Sequence, residues 1–180
     1  MNTTDCIKTR RSIRNYKEEQ VPQEVICEVV DLARFAPSWK NTQTARYYVV
    51  QNPELKQKIA ESCVMGFTYN TGTLTKAPAL VVLAYVEKRS GYERDGSYTT
   101  SKESAWEMFD AGIAAQTFCL AANEKGLGTG IMGIFDDAAV AEAISLPEGQ
   151  KVGALIAIGY PAEEPAAPAR KEAEQLVQFL

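Results

Sequence analysis

One globular domain that mixes helices with strands is the architecture this sequence predicts, on three observations. The chain has 180 residues, 46% hydrophobic and 9% aromatic, which suits one domain with a sizeable core and not a disordered chain. Two near-continuous apolar runs, Ala79–Tyr85 and Val152–Gly159, read as strands buried on both faces. Between them, Ser104–Lys125 reads as the longest helix, apolar over much of its circumference through Ala111, Ala114, Ala115, Phe118 and Cys119. Small residues on several sides of a helix mark a central one, packed closely by its neighbours.

The other elements follow in chain order. A short helix around Asp5–Thr9 leads into an arginine-rich stretch. Pro22 stands at a first helical position, and Val25, Ile26, Val29, Leu32, Ala33 and Ala36 recur at three and four. That periodicity predicts a helix from Pro22 to about Phe35, which Pro37 ends. Tyr47–Val50, aromatic and β-branched, reads as a strand, and Pro53 opens a helix to about Val64. Gly66–Thr75, polar and carrying Asn70 and Gly72, reads as turn-rich. Glu87–Lys102 is long for a connection, a mobile loop or one that covers a site. Gly126 caps the long helix. Thr129–Ile134 is a short glycine-bearing strand, and Asp136 caps a helix through Ala143. Tyr160–Ala169 holds three prolines and excludes regular structure. An amphipathic piece, Glu172–Leu180, closes the chain, so that 161–180 forms a tail suited to reaching over a partner subunit.

Composition excludes several function classes. The net charge of -4 argues against nucleic acid as the main partner. No apolar run is long enough to span a bilayer and no apolar signal region opens the chain, so neither membrane insertion nor secretion is expected. Four scattered cysteines without a Cys-x-x-Cys pair fit reduced thiols in a cytoplasmic protein. There are 0 histidines, which removes Ser-His-Asp and Cys-His nucleophiles and imidazole zinc sites, and no metal is expected. Chemistry must run on carboxylates, lysine, tyrosine, thiols or a cofactor, which carries its own reactive atoms.

Three motifs carry the functional signal. Arg10, Arg11, Ser12 and Arg14 gather guanidinium forks and a hydroxyl in one short stretch. Arginine matches a phosphate bidentately, and in an extended chain Arg10, Ser12 and Arg14 point the same way. The stretch reads as an anion clamp for a phosphorylated ligand, or as a solvated basic surface. The loop Pro37-Ser38-Trp39-Lys40-Asn41-Thr42-Gln43 is rich in amides and hydroxyls, either a plain connector or a contact to a sugar or heterocycle. Gly128-Thr129-Gly130-Ile131-Met132-Gly133 matches G-x-G-x-x-G by letter. A dinucleotide fingerprint needs a strand before it and a helix opening within it, and here a long helix precedes a strand. Its glycines admit a ligand close to the backbone, or relieve crowding beneath the long helix.

Together these pieces resemble the FMN-dependent nitroreductase family over nearly the whole chain. The resemblance rests on Arg10 to Arg14, on Ala36 to Gln43, on Asn70, and on Asp110–Ala122 running into Gly126-Leu127-Gly128-Thr129. It continues in Ile158-Gly159-Tyr160-Pro161 and in Arg170-Lys171. It implies an α+β fold, a mostly antiparallel sheet flanked by helices around a central long one. It also implies an intertwined homodimer with two FMN sites at the interface. Arg10, Ser12 and Arg170 or Lys171 would hold the FMN phosphate, with Arg11 in the same stretch. Arg14 would lie near the flavin N1 and O2 edge, and Asn70 near the pyrimidine. Pro37, Ser38 and Asn41 would come from the other subunit. The backbone at Met132, Gly133 and Ile134 would face the ring, with one N–H reaching N5. Trp39 stands where the family usually has a small residue, as a stacking partner of the flavin or as core. Thr44-Ala45 replaces the common Pro-Trp, and Thr73 and Lys76 are the candidates for a second basic position after the asparagine.

The implied activity is an oxidoreductase in which NADH or NADPH reduces FMN and leaves before a nitroaromatic, quinone or related small-molecule acceptor takes the electrons, a ping-pong scheme. A flavin-binding sensor or carrier with little turnover is the reading from another class. A reductive dehalogenase or a flavin-fragmenting enzyme is a specialised member of the first.

Overall fold

The computed structural model describes residues 1–180. Four strands form one sheet: β1 (Ala45–Val50), β2 (Ala79–Val86), β3 (Gly128–Met132) and β4 (Gln150–Gly159), ordered β1-β2-β4-β3 and antiparallel at every pairing. Six α-helices accompany it: α1 (Thr3–Thr9), α2 (Gln23–Ala33), α3 (Pro53–Ser62), α4 (Thr68–Lys76), α5 (Ala105–Glu124) and α6 (Asp137–Ala143). The architecture is α+β with an antiparallel sheet, as the resemblance implied. No helix is long and apolar enough to cross a membrane.

Strand alternation divides the interior in two. On β2, Val81, Leu83 and Tyr85 face α2 and α5, while Leu80 and Val82 face α3, α4 and α6. Ile156 and Ile158 of β4 join the first layer, and Leu155 and Ala157 the second. Burial of β2 on both faces explains why its sequence is a continuous apolar run rather than an alternating one.

Two expectations need correction. Gly66–Thr75 is not turn-rich: it contains most of α4. That helix is poor in helix formers and is held by its contacts. Asn70, Thr73 and Leu74 are buried, and Thr71 Oγ1 donates to the Ala60 carbonyl of α3 at 2.9 Å. The long helix α5 is central on one side only. Phe118, Cys119 and Ala122 are buried against α2 and the sheet, but Met108 and Phe109 are 49% and 58% exposed. Beyond β4 the tail carries only a short 3-10 turn, Ala173–Gln175, and Leu176, Val177, Phe179 and Leu180 are exposed.

Candidate functional site

The arginine stretch leaves α1 as an extended segment laid along the sheet edge. Ser12 bridges Thr129 of β3, the Ile13 N–H donates to the Thr129 carbonyl at 2.9 Å, and Tyr16 bridges Pro161 just past β4. This docking requires glycine. A Cβ on Gly130 would lie 2.7 Å from the Ile13 carbonyl oxygen, and one on Gly128 would lie 2.6 Å from the Ile13 side chain. The first two glycines of the motif therefore admit the arginine segment, neither a ligand nor the long helix. Gly133 is different: nothing lies within 4 Å of its Cβ position. Ile13 is buried, Arg10 and Ser12 before it are half-buried, and Arg14 after it is exposed.

Beside this segment lies a cavity of about 560 Å³, bordered by Thr9, Arg10, Arg11, Gly128, Thr129 and Glu163. That volume falls within the roughly 300–1,000 Å³ of small-molecule sites. None of the chain's five ion pairs uses Arg10, Arg11 or Arg14, although acids outnumber bases 23 to 19. The three guanidiniums are nevertheless unequal. Arg11 Nη1 folds back to the carbonyls of Lys8 (2.7 Å) and Arg10 (2.9 Å), where it caps α1. Arg14 Nη1 donates to the Ser12 carbonyl at 3.1 Å, and its guanidinium carbon sits 5.4 Å from the Tyr69 ring centroid. A half-buried Arg10 on the cavity wall suits an anion, and the donor set fits a phosphate monoester.

Asn70 is buried, and its Nδ2 donates to the Ile134 carbonyl at 2.9 Å. It thus holds the turn after β3, where Met132 is buried while Gly133 and Ile134 are exposed. The predicted loop lies elsewhere. Pro37 and Ser38 border a second cavity of about 570 Å³ between α2, β1 and α5, which shares no lining residue with the first. Ser38 Oγ accepts the Gln43 N–H at 2.9 Å, and Asp110 of α5 accepts the Trp39 N–H at 2.9 Å and the Ser90 hydroxyl at 2.5 Å. Lys40, Asn41 and Gln43 take left-handed φ of 44°, 55° and 50°. Trp39 packs on Trp106 at 4.8 Å, half-buried, and its Nε1 is buried without a partner. Arg170 and Lys171 are exposed on the tail and border neither cavity. One chain therefore sets Arg10 and Arg11 on the wall of the first cavity and ties Arg14 to the Tyr69 ring and Asn70 to the turn at Ile134, while Ser12, Arg14, Asn70 and the 132–134 turn border neither cavity and Pro37, Ser38, Trp39, Asn41, Arg170 and Lys171 lie apart.

Sequence reasoning missed Glu163, Asn15 and Tyr69. Glu163 accepts the N–H groups of Arg14 (2.9 Å) and Asn15 (3.1 Å) and the Asn15 side-chain amide (2.6 Å). The Asn15 side chain and the Arg14 N–H hold its carboxyl below the usual carboxylate range. No local signal marks a partner 149 positions away. Burial pushes the Cys63 and Cys119 thiols up, which makes poor nucleophiles of both. The chain has no histidine, and no group of three or more His, Cys, Asp or Glu side chains is placed to hold a metal ion.

The profile of the nitroreductase family matches residues 7–75 and 67–160. A provisionally assigned NADH dehydrogenase/NAD(P)H nitroreductase of Methanothermobacter thermautotrophicus is 32% identical over 173 residues, 92% of this chain and 80% of that protein. An iodotyrosine deiodinase of Thermotoga neapolitana is 28% identical, with 87% of each covered. Among solved structures, an FMN-dependent nitroreductase of Clostridium difficile superposes with a TM-score of 0.78 at 27% identity and 98% coverage of both chains.

Proposed function

The chain belongs to the nitroreductase family, and from that premise we propose an FMN-dependent enzyme that takes electrons from NADH or NADPH and passes them to a small-molecule acceptor. Nitroaromatics and quinones are the acceptor classes, in a ping-pong order where the nicotinamide leaves first. The observation that carries this reading is the half-buried Arg10, free of ion pairs, on the wall of a ligand-sized cavity in an acidic chain.

FMN, when bound, supplies the two-electron centre that the side chains lack. Arg10 and Ser12 hold its phosphate through charge-assisted bonds, and Arg170 or Lys171 adds a further cation from the tail. Arg14 offers a fixed positive charge that favours negative charge on the reduced ring edge. Asn70 orients the Met132–Ile134 turn, whose backbone donor would be offered to the ring, and the lack of a side chain at Gly133 would keep that approach open. Pro37, Ser38, Trp39 and Asn41 belong to the site of a second subunit in a homodimer. Their distance from the Arg10 cavity supports that assignment, as do exposed Met108 and Phe109 on α5 and the apolar end of the tail. The chain functions as a single 1–180 unit in the cytoplasm, with its tail across the partner.

Mass spectrometry of the cofactor released from purified protein is expected to give FMN. NADH or NADPH is expected to bleach the yellow protein within seconds. FAD or no flavin defeats the proposal, and an FMN protein that neither nucleotide bleaches is a carrier. The deiodinase relative favours a second reading, a reductive dehalogenase, which halide release from iodinated or brominated phenols distinguishes.

A further inference from the structure

Glu163 lies two residues beyond the Tyr16–Pro161 bridge, at the root of the tail. One carboxylate oxygen accepts two successive backbone N–H groups, those of Arg14 and Asn15, and the other accepts the Asn15 side-chain amide at 2.6 Å. The Ala162 N–H closes the arrangement on the Asn15 carbonyl at 3.0 Å. Asn15 Oδ1 in turn accepts the Lys76 ammonium of α4 at 2.6 Å. The peptide that carries Arg14 is thus gripped by an anion from the tail, and Asn15, which that anion also binds, is tied to a cation on α4. A carboxylate that accepts backbone N–H groups forms charge-assisted bonds, the stronger kind.

We infer that Glu163 is a positioning residue for the cofactor site: it fixes the Arg14 backbone, and thereby the direction of the Arg14 guanidinium between the Ser12 carbonyl and the Tyr69 ring. The inference rests on the FMN reading above.

A carboxylate on the wall of an anion cavity makes this testable by sign. Glu163 borders the same space as Arg10 and Arg11. With no positional task it would only repel the phosphate, and removing its charge would tighten FMN binding. As a positioning residue its loss loosens binding.

The experiment dilutes holoenzyme and reads the recovered fluorescence of free flavin. It compares wild type, Glu163→Gln and a remote exposed charge control, Glu148→Gln. Glu163→Gln is expected to release FMN at about tenfold higher protein concentration, the equivalent of one charge-assisted bond lost. The control stays within about twofold of wild type, well below the cost of one such bond. The midpoint potential of the bound flavin in Glu163→Gln falls toward that of Arg14→Ala. In an Arg14→Ala background Glu163→Gln adds little, because the two act through one group. Asn15→Ala, which spares the backbone donors, shows the same direction at smaller size and serves if Glu163→Gln folds poorly. Unchanged or tighter binding in Glu163→Gln overturns the inference, as does a full loss that persists in the Arg14→Ala background. Wild type that carries no FMN overturns the functional reading, and this inference with it.

Discussion

Arg10 owes its weight to its surroundings. In a chain with 23 acidic and 19 basic residues, a half-buried guanidinium without an ion pair lacks the partner that would make it purely structural. Replacing it with alanine removes at least one charge-assisted bond to the phosphate, each worth roughly 1.5–3 kcal/mol. FMN affinity should fall about tenfold to a hundredfold per bond lost, measured by dilution of the holoenzyme. Unchanged affinity would reduce Arg10 to surface. Legibility at this scale divides by range. The proposed clamp carries a sequence signal because its members are neighbours in the chain and their chemistry is explicit. Glu163 does not, because the N–H groups that donate to it lie 149 and 148 positions away and a glutamate in a proline-rich stretch has no signature. Asn70 is expected near a pyrimidine, and the bond it makes is to the Ile134 carbonyl, which holds the turn after β3.

Elements were legible where pattern and propensity agree. The apolar runs of β2 and β4 and the alanine-rich α5 declare themselves, and their bounds fall within two residues of expectation. Helix α4 was hidden because Thr68–Lys76 holds four threonines and a glycine, so its stability comes from packing on α3 that no local window contains. The glycines of β3 were visible, but their purpose was not. Spacing suggested a ligand or crowding under α5, whereas the structure shows the Ile13 backbone pressed against Gly130. Gly130→Ala would push a Cβ to 2.7 Å from that carbonyl, an overpacking expected to cost about 1–3 kcal/mol. Gly133→Val, one residue beyond β3, adds a Cβ that meets nothing within 4 Å and should leave the melting temperature of the cofactor-free protein close to wild type. Its effect belongs to flavin binding or reduction, where a branched side chain obstructs approach to the backbone. Calorimetry paired with FMN titration separates the two. A stable Gly130→Ala, or a Gly133→Val that folds and binds and reduces FMN normally, contradicts this division of labour.

Across the whole molecule the decisive fact is separation. The Arg10 cavity and the Pro37–Ser38 cavity share no lining residue, and the loop at Asn41 is pinned to α5 through Asp110, away from the arginine segment. If both sets serve one flavin, they come from different subunits, and a two-fold dimer supplies two such composite sites. Complementation tests this directly. Arg10→Ala impairs one half of each site. Asn41→Gly impairs the other half, and glycine keeps the left-handed φ of 55° without strain where alanine would not. Each variant is confirmed inactive alone, then the two are unfolded and refolded together. Random pairing makes roughly half the dimers mixed, each with one unaltered site and one doubly altered site. Nitroreductase activity should then return to about a quarter of wild type by the same counting. A monomer with all its ligands on one chain, or a dimer with sites confined to single subunits, yields none. Reassociation is followed by native mass spectrometry of differently tagged variants, so mixed dimers that form and stay inactive defeat the shared-site arrangement.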